Sequence, residues 1–151
     1  MKMLCGMAVL VLVLLVATAA LAGAKTPDGN NLLKWCTDHL RMMDHPDMVP
    51  QSDRFEVGVN ALHCGERIAG MLDMNTLYQV EFERKEINKT HLLFCPPVDP
   101  GPSLGQAVRI VLRHLQMHPE RLHGPGISLV TEALRDAFPC PPAPAASRPQ
   151  R

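Results

Sequence analysis

The sequence predicts an all-α protein: a small four-helix domain with two disulfides, preceded by a signal peptide. Three observations carry this. Apolar residues recur at helical spacing in four segments set apart by Pro and Gly. The N-terminus has the layout of an export signal. Four cysteines remain beyond that signal, an even number in a chain sent to an oxidising compartment.

The export signal comes first. Lys2 and the terminal amine form a short positive region, and an apolar run follows from Gly6 to Leu21. Ala22-Gly23-Ala24 has the A-x-A form that a signal peptidase accepts, which places cleavage near Ala24/Lys25. Residues 1–24 are therefore read as the signal peptide, residues 25–140 as the helical domain and 141–151 as a disordered Pro/Ala-rich tail. An uncleaved anchor is the rival reading, since a bilayer needs about 20 apolar residues. The cleavage site and the start of the run near residue 1 favour removal, and Cys5 leaves with the peptide. No later apolar run is long enough to span a membrane.

The first helix spans about Gly29 to Arg41, with Asp28 as N-cap and Leu32, Leu33, Cys36 and Leu40 on one face. His45-Pro46 and Val49-Pro50 break the chain. The second helix starts at Ser52 or Asp53, where Asp53 and Glu56 have capping-box spacing. It carries two apolar stripes. One is Val57, Ala61, Cys64, Ile68 and Met71; the other is Phe55, Val59, Leu62, Ala69 and Leu72. Two stripes predict a central helix, with Gly58, Gly65 and Gly70 marking close approach of neighbours or a local break. Residues 74–93 are ambiguous. Leu77 to Glu83 alternates like a strand, and the charged run either extends the second helix or forms a loop. Asn88-Lys89-Thr90 is a glycosylation sequon.

The third helix opens on a capping box, Ser103 with Gln106. Leu104, Val108, Val111, Leu112 and Leu115 follow on one face, and Pro119 ends the helix. His114 and His118 sit in its last turns, where a cation suits the helix dipole. The fourth helix follows Gly124-Pro125-Gly126 with a stripe of Ile127, Val130, Leu134, Ala137 and Phe138, and Pro139 stops it.

Cys36, Cys64, Cys95 and Cys140 allow three pairings. The simplest joins Cys36 to Cys64 and Cys95 to Cys140. Zinc is the rival, but no C-x-x-C pair is present.

Composition narrows the function. The chain has 15 Lys+Arg against 15 Asp+Glu, and loss of Lys2 with the leader leaves the mature domain one unit negative. With no basic stripe, nucleic acid is not an expected partner. No nucleophile elbow G-x-S-x-G and no phosphate-cradling glycine loop occur, and the cysteines are expected to be oxidised. No catalytic residue, enzyme activity or cofactor is expected. Met42, His45 and Met48 have soft ligand types that suit copper, and His114 and His118 lie one helical turn apart. Adaptable packing and helix-end roles account for them more simply, so no metal site is assigned. The charged run remains. Tyr78, Glu81, Phe82, Glu83, Arg84 and Lys85 combine aromatic anchors with steering charges and are the candidate partner-binding residues.

The C-terminal half reads Phe94-Cys95-Pro96-Pro97, Leu104-Gly105-Gln106-Ala107-Val108, His118-Pro119-Glu120-Arg121-Leu122-His123 and Ala137-Phe138-Pro139-Cys140. The N-terminal half adds Leu32-Leu33-Lys34-Trp35-Cys36, then Cys64, Ile68-Ala69-Gly70 and Asp73. Over residues 28–140 this resembles the Rap/Tai family of immunity proteins. Glu66 and Arg67 depart from it, standing where the family usually has a small residue and then an aromatic one. The resemblance implies a helical, disulfide-bonded periplasmic protein that acts as a homodimer. It implies binding and blocking of a peptidoglycan amidase effector delivered by type VI secretion. The alternative is a periplasmic protein of the same fold that binds a metal or other ligand.

Overall fold

A computed structural model describes residues 26–85 and 92–141. The leader, the sequon at Asn88 and the tail from residue 142 lie outside the described residues. Among those described, four α-helices form and no strand does: α1 (Gly29–Asp44), α2 (Arg54–Arg84), α3 (Leu104–Met117) and α4 (Gly126–Ala137). The all-α expectation holds, and both disulfides join the predicted pairs, Cys36–Cys64 and Cys95–Cys140.

The four helices bury one shared core. Leu32 and Cys36 come from α1, and Cys64 and Ile68 from α2. Val108, Val111, Leu112 and Leu115 come from α3, and Leu129, Val130, Ala133 and Leu134 from α4. Phe94, ahead of α3, is fully buried among them. Local chemistry starts the helices where the sequence places them. The Asp28 carboxylate accepts from the Asn31 N–H, and Ser103 and Gln106 close both bonds of their capping box. Helix α1 runs one turn past Arg41.

Two expectations need correction, the Asp53 cap and the burial of the second α2 stripe, and one open alternative is decided. The Asp53 side chain does not cap α2. It accepts from the Ser52 hydroxyl, and Glu56 instead takes the Lys34 ammonium at 2.6 Å. The strand-like alternation of Leu77–Glu83 is helix, because α2 continues unbroken to Arg84 and so runs for 31 residues, about 46 Å. The second apolar stripe of α2 is only partly buried: Leu72 packs against the core, but the first half of the stripe does not. Phe55 is 85% exposed and Leu62 63% exposed. Of the three glycines, only Gly65 meets a neighbour: a Cβ there would lie 3.1 Å from the His39 ring of α1. Gly58 and Gly70 face open space.

The start of α1 is bolted to the loop before α4. Gly29 N–H donates to Gly124 O (3.0 Å), Asn30 N–H to Leu122 O (3.1 Å), and Gly126 N–H returns to Pro27 O (3.0 Å). Gly29 is required there, since a Cβ would stand 2.8 Å from Leu122 Cα. The residues of His118-Pro119-Glu120-Arg121-Leu122-His123 thus form a helix end and a turn whose backbone receives α1, the structural role read from the sequence.

Candidate functional site

The six candidate partner-binding residues lie together on the last two turns of α2 and the residue after it. Their placement follows from where the core ends. Leu72 is the last apolar α2 residue that packs against the core; beyond it only the polar Asn75 and Gln79 are buried. The remaining apolar side chains of α2 are therefore ones that the domain does not use for its core.

These turns present a mixed surface. The Tyr78 and Phe82 rings are near-parallel with centroids 6.1 Å apart, as i, i+4 aromatics on one helix face meet. Met74, Leu77, Tyr78 and Val80 are all exposed. Beside them Glu81 gathers two cations, Lys85 Nζ at 2.7 Å and Arg84 Nη2 at 3.0 Å. The hydrogen bond from Lys85, then that from Arg84, holds the Glu81 carboxyl below the usual carboxylate range. An aromatic pair flanked by a charge-paired carboxylate can anchor in an apolar pocket while its charges set orientation.

Beneath this surface the structure holds a feature the sequence did not announce. Asn75 and Gln79 are buried, and neither the amide nitrogen nor the amide oxygen of the Asn75 side chain has a hydrogen-bond partner. On another side of the helix, Leu72, Asp73, Thr76 and Gln79 face Pro96, Pro97 and Pro102 across a groove of about 330 Å³. The segment Leu92–Pro102 that forms this wall is held by the Cys95–Cys140 disulfide, by Cys95 N–H donating to Phe138 O (2.8 Å) and by Arg135 Nε donating to Leu93 O (3.1 Å).

Arg67 reaches over the Trp35 ring, 5.2 Å from its centroid, and His63 stacks on the same ring at 4.9 Å. This accounts for an arginine at that place: its guanidinium covers the indole that α1 turns toward α2.

The histidines of α3 are arranged differently from expectation. His114 is not poised as a helix-end cation. Burial, and next the neighbouring His118, push its pKa below the usual histidine value, although Asp136 Oδ2 stands 3.5 Å from Nδ1. Its Nε2 makes no hydrogen bond. Glu132 is instead committed to Arg121, at 2.6 Å. His45 and Met48 are both exposed, at a short 3₁₀ turn. No group of three or more His, Cys, Asp or Glu side chains converges as a metal site among the described residues. The four described cysteines are all disulfide-bonded, which removes a thiol nucleophile from the described chain. No helix among the described residues is long and apolar enough to cross a membrane.

No curated protein and no solved structure matches the chain. A family model does, that of the Rap1a immunity proteins, over residues 28–140. The match runs from the N-cap of α1 to the last disulfide cysteine and so takes in all four helices. By that match, over a fold with two disulfides and a helix end left outside its own core, the chain belongs to the Rap1a immunity protein family.

Proposed function

We propose that this protein is a periplasmic immunity protein that binds and blocks a peptidoglycan amidase delivered by type VI secretion, and that it works as a homodimer. Family membership supports a role against a toxin. The observation that carries the reading within the chain is the end of α2. Exposed Leu77, Tyr78 and Val80, with half-buried Phe82 beside them, lie past the last apolar residue of α2 that packs against the core. A helix presents such anchors at little ordering cost, which favours tight occlusion of a cleft. The signal peptide read from the sequence would deliver the chain to the compartment where cell-wall amidases act.

In this reading Tyr78 and Phe82 insert, and Glu81, Glu83, Arg84 and Lys85 steer. Inhibition is steric and needs no chemistry from the chain. The test is periplasmic co-expression with a peptidoglycan amidase toxin encoded in the same genome. Cells producing the amidase alone should lyse, and co-expression of this protein should prevent it. Replacing Tyr78 and Phe82 together by Ala should lower affinity by roughly tenfold or more, the scale of losing two buried anchors. Lysis that proceeds unchanged with the native protein present would end this reading.

A further inference from the structure

Helix α2 carries a second exposed face, distinct from the aromatic one. Phe55, Val59, Leu62, Glu66, Asp73, Leu77, Val80 and Arg84 recur at the helical period and follow one line along the helix. Leu77 is 61% and Val80 58% exposed, like Phe55 and Leu62 before them. Tyr78 and Phe82 lie roughly a third of a turn or more around the helix. The line is a mirror of itself about the Ala69–Gly70 bond. Turned end for end, Leu62 falls opposite Leu77, Val59 opposite Val80, and Phe55 opposite Arg84.

We propose that this face is where a second copy of the chain docks, α2 against α2 in antiparallel register, with the two-fold axis at Ala69–Gly70. The proposal deepens the homodimer part of the reading above by naming its surface. A two-fold interface must be self-complementary, and a mirrored row of side chains on a straight helix supplies that. The glycine at the centre supports it. A helix-interior glycine costs about 1 kcal/mol relative to alanine, and nothing in the chain lies within 4 Å of where its Cβ would be. Close approach of a partner helix gives Gly70 a role that the single chain does not. At the ends, each exposed Phe55 falls opposite Arg84 of the other copy, whose guanidinium pairs with Glu81 of its own chain.

The area is sufficient. Phe55, Leu62, Leu77 and Val80 together expose on the order of 500 Å² per chain, taking large apolar side chains at roughly 150–250 Å² each. Two copies bring about 1,000 Å² together from these four alone. Their neighbours on the row carry the total towards the 1,200–2,000 Å² of a stable interface. The register also has a cost, which makes it testable. Glu66 falls opposite Asp73 of the other copy, so two like-charged pairs flank the axis.

The experiment is sedimentation of the full mature protein with its disulfides intact. The native chain should dimerise. Leu62→Asp and Gly70→Leu should each weaken the dimer by roughly tenfold or more. Gly70→Leu should do so with an undiminished thermal midpoint for the monomer, because leucine favours helix and meets open space there. Glu66→Gln with Asp73→Asn should tighten the dimer, which a non-specific hydrophobic association would not do. Under oxidant, Gly70→Cys should link to itself. Phe55→Cys should not, but should link to Arg84→Cys when the two variants are mixed. A native chain that stays monomeric, or a dimer indifferent to Leu62→Asp and Gly70→Leu, overturns the proposal. Protection against the amidase is scored in parallel. A variant that is monomeric yet still protects refutes the need for a dimer while leaving toxin blocking intact.

Discussion

The two halves of α2 are one continuous helix with two different employments. From Arg54 to Leu72 it is held by the rest of the domain: Cys64 and Ile68 are fully buried, Asn60 Nδ2 donates to Asp38 Oδ2 at 2.8 Å, and His39 Nδ1 lies 2.7 Å from Ala61 O. From Asp73 to Arg84 the buried side chains are polar, Asn75 and Gln79, and most of its large apolar side chains face outward. Propagation adds one hydrogen bond per residue once a nucleus is packed, so a well-packed first half can carry the helix into a second half whose apolar side chains stay exposed. The difference teaches that stability and recognition are separable along a single element here.

The largest effect should come from unstapling the packed half. Cys36→Ala with Cys64→Ala removes a crosslink spanning 28 residues, worth about 3.6 kcal/mol by loop-closure entropy, and empties core volume besides. Against a typical stability of about 5–15 kcal/mol, the double variant should be largely unfolded at 37 °C, read by circular dichroism under oxidising conditions.

Single truncations sharpen the same contrast. Ile68→Ala should cost about 3 kcal/mol, within the usual range for a buried aliphatic. Leu77→Ala, in the second half, should stay within about 0.5 kcal/mol when both proteins are titrated at a concentration low enough to keep the chain monomeric. Urea titrations of the two proteins measure both, and equal losses would break the comparison.

Asn75 sits at the junction, and its buried side chain has no partner. Asn75→Leu removes an unpaired amide and should raise stability by about 1 kcal/mol. A loss of that size would mean that the amide is satisfied by water or by a partner.

The smallest effect is a control away from α2. His114 is held below the ordinary histidine pKa of 6.5 in the folded chain, mainly by burial. The unfolded chain therefore binds a proton more readily than the folded one. The stabilisation is fully present above pH 6.5 and is lost as pH falls from there through the lowered folded value. Thermal midpoints between pH 7.5 and pH 5 should fall less steeply for His114→Gln than for the native protein. A native slope unchanged in the variant would remove His114 from this role.

How much could be read in advance follows from how local each signal is. Ser103 with Gln106 is a four-residue device, and it closes as spaced. Val108, Val111, Leu112 and Leu115 keep strict helical period because one face of α3 is buried along its length. The His118–His123 turn was legible as a helix end for the same local reason. The Asp53–Glu56 spacing failed because Lys34, 22 residues before Glu56, offered that carboxylate a salt bridge. Leu77–Glu83 stayed ambiguous between helix and loop because the buried positions in this part of α2, Asn75 and Gln79, are polar, so no apolar stripe marks its inner face there.

The sequence by itself determined the helical class, an even set of four cysteines able to pair, and the caps at Asp28 and Ser103. Each of these rests on period, parity or contacts within one turn. Only the tertiary structure decided that α2 runs unbroken to Arg84 and that its apolar core contacts stop at Leu72, with polar Asn75 and Gln79 buried beyond. It alone showed that Phe55, Leu62, Leu77 and Val80 share an uncovered line. A side chain's burial depends on which other element arrives, and no spacing within a helix records that arrival.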